Sequence, residues 1–104
     1  MSEWIDIGTV DVAEGAVVGV DVNGTAIALC RSGGVLHALA DRCSHAEARL
    51  SEGRLRGGCL VCPRHGAGFD LEDGTPQGPP AITPVATFAV VEDDAGVRLR
   101  ITPR

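Results

Sequence analysis

"DRCSHAEARLSEGRLRGGCLVCPRHG", residues 41–66, holds two short mixed pairs of metal-binding side chains. Cys43 and His45 stand two apart, so both can reach one centre from an extended or tightly turned backbone. Cys62 and His65 stand three apart around Pro63, whose ring holds φ near about −65° and removes a backbone donor, so the segment turns stiffly. Gly66 follows, where the missing Cβ permits a close approach or an unusual backbone conformation. Sixteen residues separate His45 from Cys62. Two thiolates and two imidazoles on two loops make a four-ligand set.

Three kinds of centre compete for that set. Structural zinc takes two Cys and two His, but usually with the cysteines in one short pair and the histidines in another. A mononuclear iron or copper site would call for a carboxylate or Met ligand that the pattern lacks. A [2Fe–2S] centre with two Cys on one iron and two His on the other suits mixed pairs, because each loop then serves both irons.

On either side of this stretch the chain reads as strands. Residues 4–10 form a short apolar run, and residues 16–22 are β-branched and end in Asn23-Gly24, a strong hairpin signal. Residues 25–31 answer as the return strand, and residues 35–40 follow a second turn, so the first forty residues predict a meander. Strands resume at residues 85–93 and 97–101. Between them, residues 41–84 are polar, turn-rich and without helical period, which predicts a long insertion in a β framework. Loops of that length in a compact domain are usually functional or disordered, and this one holds every ligand pair. Fourteen glycines with three aromatics also favour short strands and tight turns over a helix bundle. The expectation is one domain, residues 1–104.

The charge narrows the function. All nine basic residues are Arg and are scattered, so no basic stripe exists to meet nucleic acid. The formal net charge of −5 serves solubility, or would steer the protein to a basic partner and away from anionic membranes. The N-terminus carries no secretory signal, and no apolar run approaches a membrane span, so the expected location is the cytoplasm. There, four cysteines point to metal binding or free thiols more than to a disulfide framework.

The residues carry a further resemblance. "CSH" and "CPRHG" match the Rieske motif C-x-H…C-P-x-H-G, and "DRCSHAEARLSEG" fits the D-x-C-x-H-x-x-A-x-L-S-x-G of soluble Rieske ferredoxins. "HGAGFDLEDG" and the proline-rich "GPPAITPV" are similar as well, so the likeness runs over nearly the whole chain from Trp4. The chain resembles the ferredoxin components of bacterial ring-hydroxylating dioxygenases. That implies an all-β Rieske fold, an antiparallel sandwich or barrel carrying a cluster-binding subdomain of two ligand loops and a proline-rich loop. It implies one 2Fe–2S cluster, with Cys43 and Cys62 on one iron and His45 and His65 on the other. The implied role is a non-enzymatic one, single-electron transfer from a flavoprotein reductase to a terminal oxygenase. Docking would be transient, at the His45/His65 edge of a monomer, and the potential should fall as pH rises through ionisation of the ligand imidazoles.

Departures from the respiratory branch sharpen this. Ala48 and Arg64 occupy positions where respiratory Rieske proteins have a disulfide, and Ala67 and Phe69 stand where they have hydroxyls that stabilise the reduced cluster. A low potential, about −150 mV, is the expectation. Two rivals stay open, a small subunit of an assimilatory nitrite reductase and a zinc-stapled interaction module. Of the remaining candidates, Cys30 reads as buried core and His37 as a partly exposed strand residue. Cys59 completes a C-x-x-C with Cys62. Glu47, Arg49 and Arg64 either rim a docking face or are solvated loop tips.

Overall fold

The computed structural model describes residues 4–42, 48–64, 66–77 and 83–101. They form ten strands in three antiparallel sheets, with one 3-10 turn at Leu50–Glu52. The central sheet has the order β2 (Val17–Val22), β3 (Thr25–Ser32), β4 (Val35–Ala40), β8 (Thr87–Phe88). The β2–β3 hairpin turns at Asn23 and Gly24, both with positive φ, as an Asn-Gly tight turn requires. A second sheet has the order β1 (Ile5–Gly8), β10 (Gly96–Leu99), β9 (Val90–Asp93). The third joins β5 (Arg54–Arg56), β6 (Cys59–Val61) and β7 (Gly68–Asp70).

Both faces of the central sheet are covered. Along β3, Ile27 and Leu29 enter one core with Leu36, Ala38, Phe88, Val97 and Leu99, against the β1–β10–β9 sheet. Ala28 and Cys30 point the other way, into a second core with Leu39, Leu50, Leu60, Cys62 and Phe69. Successive side chains on a strand alternate faces, so a strand buried on both sides reads as an unbroken apolar run, as residues 26–30 do.

One expectation is corrected and one is sharpened. The first forty residues are not one meander, because β1 pairs with β10 near the end of the chain and leaves β2–β3–β4 as the hairpin series. The described residues of 41–84 are mostly irregular, as expected, but β5–β7 and the 3-10 turn lie within them and give the insertion a small sheet of its own. Three-residue strands are too short to show a period, although Leu55 and Leu60 pair directly across β5 and β6. No helix among the described residues is long and apolar enough to cross a membrane.

Candidate metal centre

The second ligand loop is a closed turn. The Cys62 N–H donates to Ala67 O at 2.7 Å and the Gly66 N–H to Cys62 O at 3.2 Å. Pro63 and Arg64 are exposed at its tip, and Gly66 takes φ +72°, a left-handed conformation that disfavours a side chain. Cys62 is 1 % exposed and packs in the second core, while its thiol enters no disulfide. His65 lies outside the described residues.

Cys43, His45 and Glu47 also lie outside them, but both feet of their loop are described. The Asp41 side chain is buried, and its carboxylate accepts from the Ser51 N–H and the Ser51 Oγ–H, each at 2.6 Å. The Asp41 N–H donates to Ala26 O, which ties the same residue to the start of β3. Leu50 anchors the far side of the loop at 0 % exposure. β2 crosses this clasp at Gly19, where a Cβ would fall 2.7 Å from Ser51 Oγ and 2.9 Å from Asp41 Oδ2.

Two more glycines join the loops to the scaffold. A Cβ on Gly53 would lie 1.9 Å from Val61 O, so the chain enters β5 in backbone contact with the last residue of β6, which directly precedes Cys62. A Cβ on Gly74 would lie 2.0 Å from Val85 O. The Val85 N–H donates to Gly74 O, so the chain is fastened directly after the proline-rich segment, whose residues 78–82 lie outside the described ones. Asp41, Ser51 and Gly53 all belong to the D-x-C…L-S-x-G pattern, whose charge and hydroxyl are the sequence signal for this clasp.

The other candidates separate from the ligand set. Cys30 is fully buried, and burial followed by the Asp41 charge pushes its thiol up to about 12. Burial and then Asp70 also raise Cys59, so both thiols stay protonated near neutrality. Cys59 and Cys62 fall on opposite faces by strand alternation, Cys62 toward the core and Cys59 partly exposed, which removes the dithiol reading of C-x-x-C. His37 is partly exposed on β4, and Arg49 and Arg64 are exposed.

The donor set suits a [2Fe–2S] centre with mixed ligation. Cys62 offers a buried thiol at the foot of a stiff turn, and the chain order supplies an imidazole in each loop. Residues 3–89 match the family model described as "Rieske [2Fe-2S] domain". The chain is 37 % identical over 99 residues to the ferredoxin component of the naphthalene 1,2-dioxygenase/salicylate 5-hydroxylase systems of Ralstonia sp., covering 94 % of this chain and 95 % of that one. It is 34 % identical over 102 residues to the anthranilate 1,2-dioxygenase ferredoxin subunit of Burkholderia cepacia, covering 97 % and 94 %. Among solved structures, a chain of the complex of reduced oxygenase and oxidized ferredoxin in carbazole 1,9a-dioxygenase superposes with TM-score 0.88 at 30 % identity, covering 97 % of this chain and 95 % of that one. The carbazole 1,9a-dioxygenase ferredoxin of Nocardioides aromaticivorans IC177 gives 0.83 at 30 % identity, covering 97 % and 98 %.

Proposed function

The chain belongs to the Rieske [2Fe-2S] domain family, and from that premise we propose that Cys43, His45, Cys62 and His65 hold its one 2Fe–2S cluster. It is a ferredoxin of the ring-hydroxylating dioxygenase kind, an electron-transfer component and not itself a catalyst. When bound, the cluster takes up and gives back one electron at a time.

The polypeptide's part is positioning and shielding. The backbone-bonded turn and the packing behind it fix Cys62, and its burial keeps water from that sulfur. Ala67 and Phe69 are buried and bring no hydroxyl to the second loop, which favours the low potential of about −150 mV. Electrons leave for the terminal oxygenase and arrive from a flavoprotein reductase at the His45/His65 edge, through short-lived docking by a monomer. Residues 1–104 act as one domain, with the cluster-binding insertion at about 41–84. The reduced thiols Cys30 and Cys59 fit a cytoplasmic setting.

The observation that carries the assignment is the buried, disulfide-free Cys62 thiol at the foot of a turn closed by two backbone hydrogen bonds. Iron and acid-labile sulfide counted on anaerobically purified protein should each come to two per chain. A colourless protein holding neither, or one holding zinc alone, would overturn it. A redox titration should give a midpoint near the low end of the Rieske range; a clearly positive value would contradict the reading of Ala67 and Phe69.

A further inference from the structure

The net charge of −5 conceals a strong polarity. Residues 41–69 hold five of the nine arginines against three of the fourteen carboxylates, a formal +2, which leaves −7 on the rest of the chain. Inside the small sheet the polarity repeats. At the Cys62 end, Arg54 pairs with Val61 and Arg64 sits exposed in the ligand turn. At the opposite end, Arg56 pairs with Cys59, Asp70 closes β7 across from that same cysteine, and Glu72 and Asp73 follow. Arg42 and Arg49 are exposed at the two feet of the first ligand loop. The only carboxylate among the described residues there besides Glu52 is Asp41, whose side chain is fully buried in its clasp with Ser51.

The described framework arginines are already engaged. Arg31 forms a bidentate pair with Glu92, Arg98 pairs with Asp93, and Arg100 lies 4.5 Å over the Trp4 ring. By contrast, Arg42, Arg54, Arg56 and Arg64 make no ion pair with a described residue, and Arg49 reaches Asp41 only at 3.9 Å; of these five only Arg56 stands at the far end of the small sheet, near Asp70. The unspent positive charge therefore gathers at the ligand end, while exposed Asp6, Asp11, Asp21 and Asp94 lie on the framework.

We infer that Arg42, Arg49, Arg54 and Arg64 form a cationic docking rim, and that the protein partner it fits carries exposed carboxylates around its own redox group. This rests on the proposal that electrons cross at the His45/His65 edge. Fields from a local patch decide orientation at close range, because a Debye length of about 8 Å at physiological salt hides the distant framework charge. The net charge, which alone would favour a basic partner, is the wrong guide.

Stopped-flow oxidation of the reduced ferredoxin tests this with two acceptors, acidic cytochrome b5 and basic cytochrome c. In each, one electron passes to the ferric haem and no proton moves. The rate constant with cytochrome b5 should fall about tenfold as salt is raised from low to high, and that with cytochrome c should not. The double variant Arg54→Glu/Arg64→Glu should abolish or invert the cytochrome b5 trend with its visible spectrum intact, whereas Asp94→Lys on the β9–β10 turn, which makes the net charge less negative away from the rim, should leave it. A cytochrome b5 rate that rises with salt, or equal responses of both variants, overturns the inference. So does sedimentation of the protein with phosphatidylglycerol vesicles at physiological salt, which would make the rim a membrane contact. A coloured protein failing these tests removes this inference alone; a colourless one removes the function as well.

Discussion

The two cores on either side of the central sheet are built by different means. The framework core, around Ile27, Leu29, Phe88 and Leu99, is apolar packing between strands whose partners are remote in sequence, as β1 is from β10. The ligand-side core is held by packing as well, but it adds a buried carboxylate clasp and three places where only a glycine fits against a neighbouring strand or side chain, where the framework has one, Gly96 against Gly8 O. Apolar packing is non-directional and fixes a volume, while hydrogen bonds and backbone contacts fix positions. A site whose ligands must converge on one centre needs the second kind of construction, and it is concentrated where the ligand loops begin and end.

Substitutions can separate the two halves. The largest effect should come from Cys62→Ala, which should abolish iron binding while far-UV dichroism still reports β structure; iron analysis on the purified variant decides this. Next, Leu29→Ala and Phe69→Ala break the two cores in turn. Each should cost about 3 kcal/mol in urea unfolding, because each empties a fully buried volume. Only Phe69→Ala should also speed iron release to a chelator below the unfolding midpoint. Equal release from both would erase the distinction between the cores.

A smaller effect belongs to the clasp. Asp41→Ala strands the Ser51 donors and should cost about 2 kcal/mol, with Asp41→Asn recovering part of it because an amide keeps one acceptor oxygen. The visible dichroism of the cluster should broaden or shift in Asp41→Ala and return in Asp41→Asn, since the loop bearing Cys43 and His45 starts there.

The smallest effect is a pH one on the framework. The Arg31 hydrogen bond holds Glu92 below its usual 4.5, and the Gly34 and Gly33 N–H groups do the same for Glu14. A depressed carboxylate contributes stability above its unfolded value and loses it as pH falls through its folded one. Stability should therefore decline below about pH 4.5, and Arg31→Met should make that decline shallower by releasing Glu92. Urea midpoints measured from neutral to acid pH check it; an unchanged acid limb would show that the exposed pair is screened to nothing.

Much of this was legible in the chain. Asn23-Gly24 announced its hairpin, and residues 25–31 announced the return strand, because those signals are local; burial of that strand on both faces emerges only from the fold. Strand partners are not local, so nothing in residues 4–10 said that β1 would join β10 and not β2. The small sheet escaped because Arg54–Arg56 and Cys59–Val61 are too short to display alternation amid polar neighbours. At the candidate centre, Cys62 and its turn follow from "CPRHG". The Asp41–Ser51 clasp does not follow from composition, since a buried charge is intelligible only beside the donors that satisfy it.

One face of β3 is bulky and the other slim: Ile27 and Leu29 look toward the framework, Ala28 and Cys30 toward the ligand layer. The strand is thus its own ruler. Sliding it by a single residue would press isoleucine and leucine into a compartment dimensioned for alanine and cysteine, and would lift the whole metal-bearing layer off its bed.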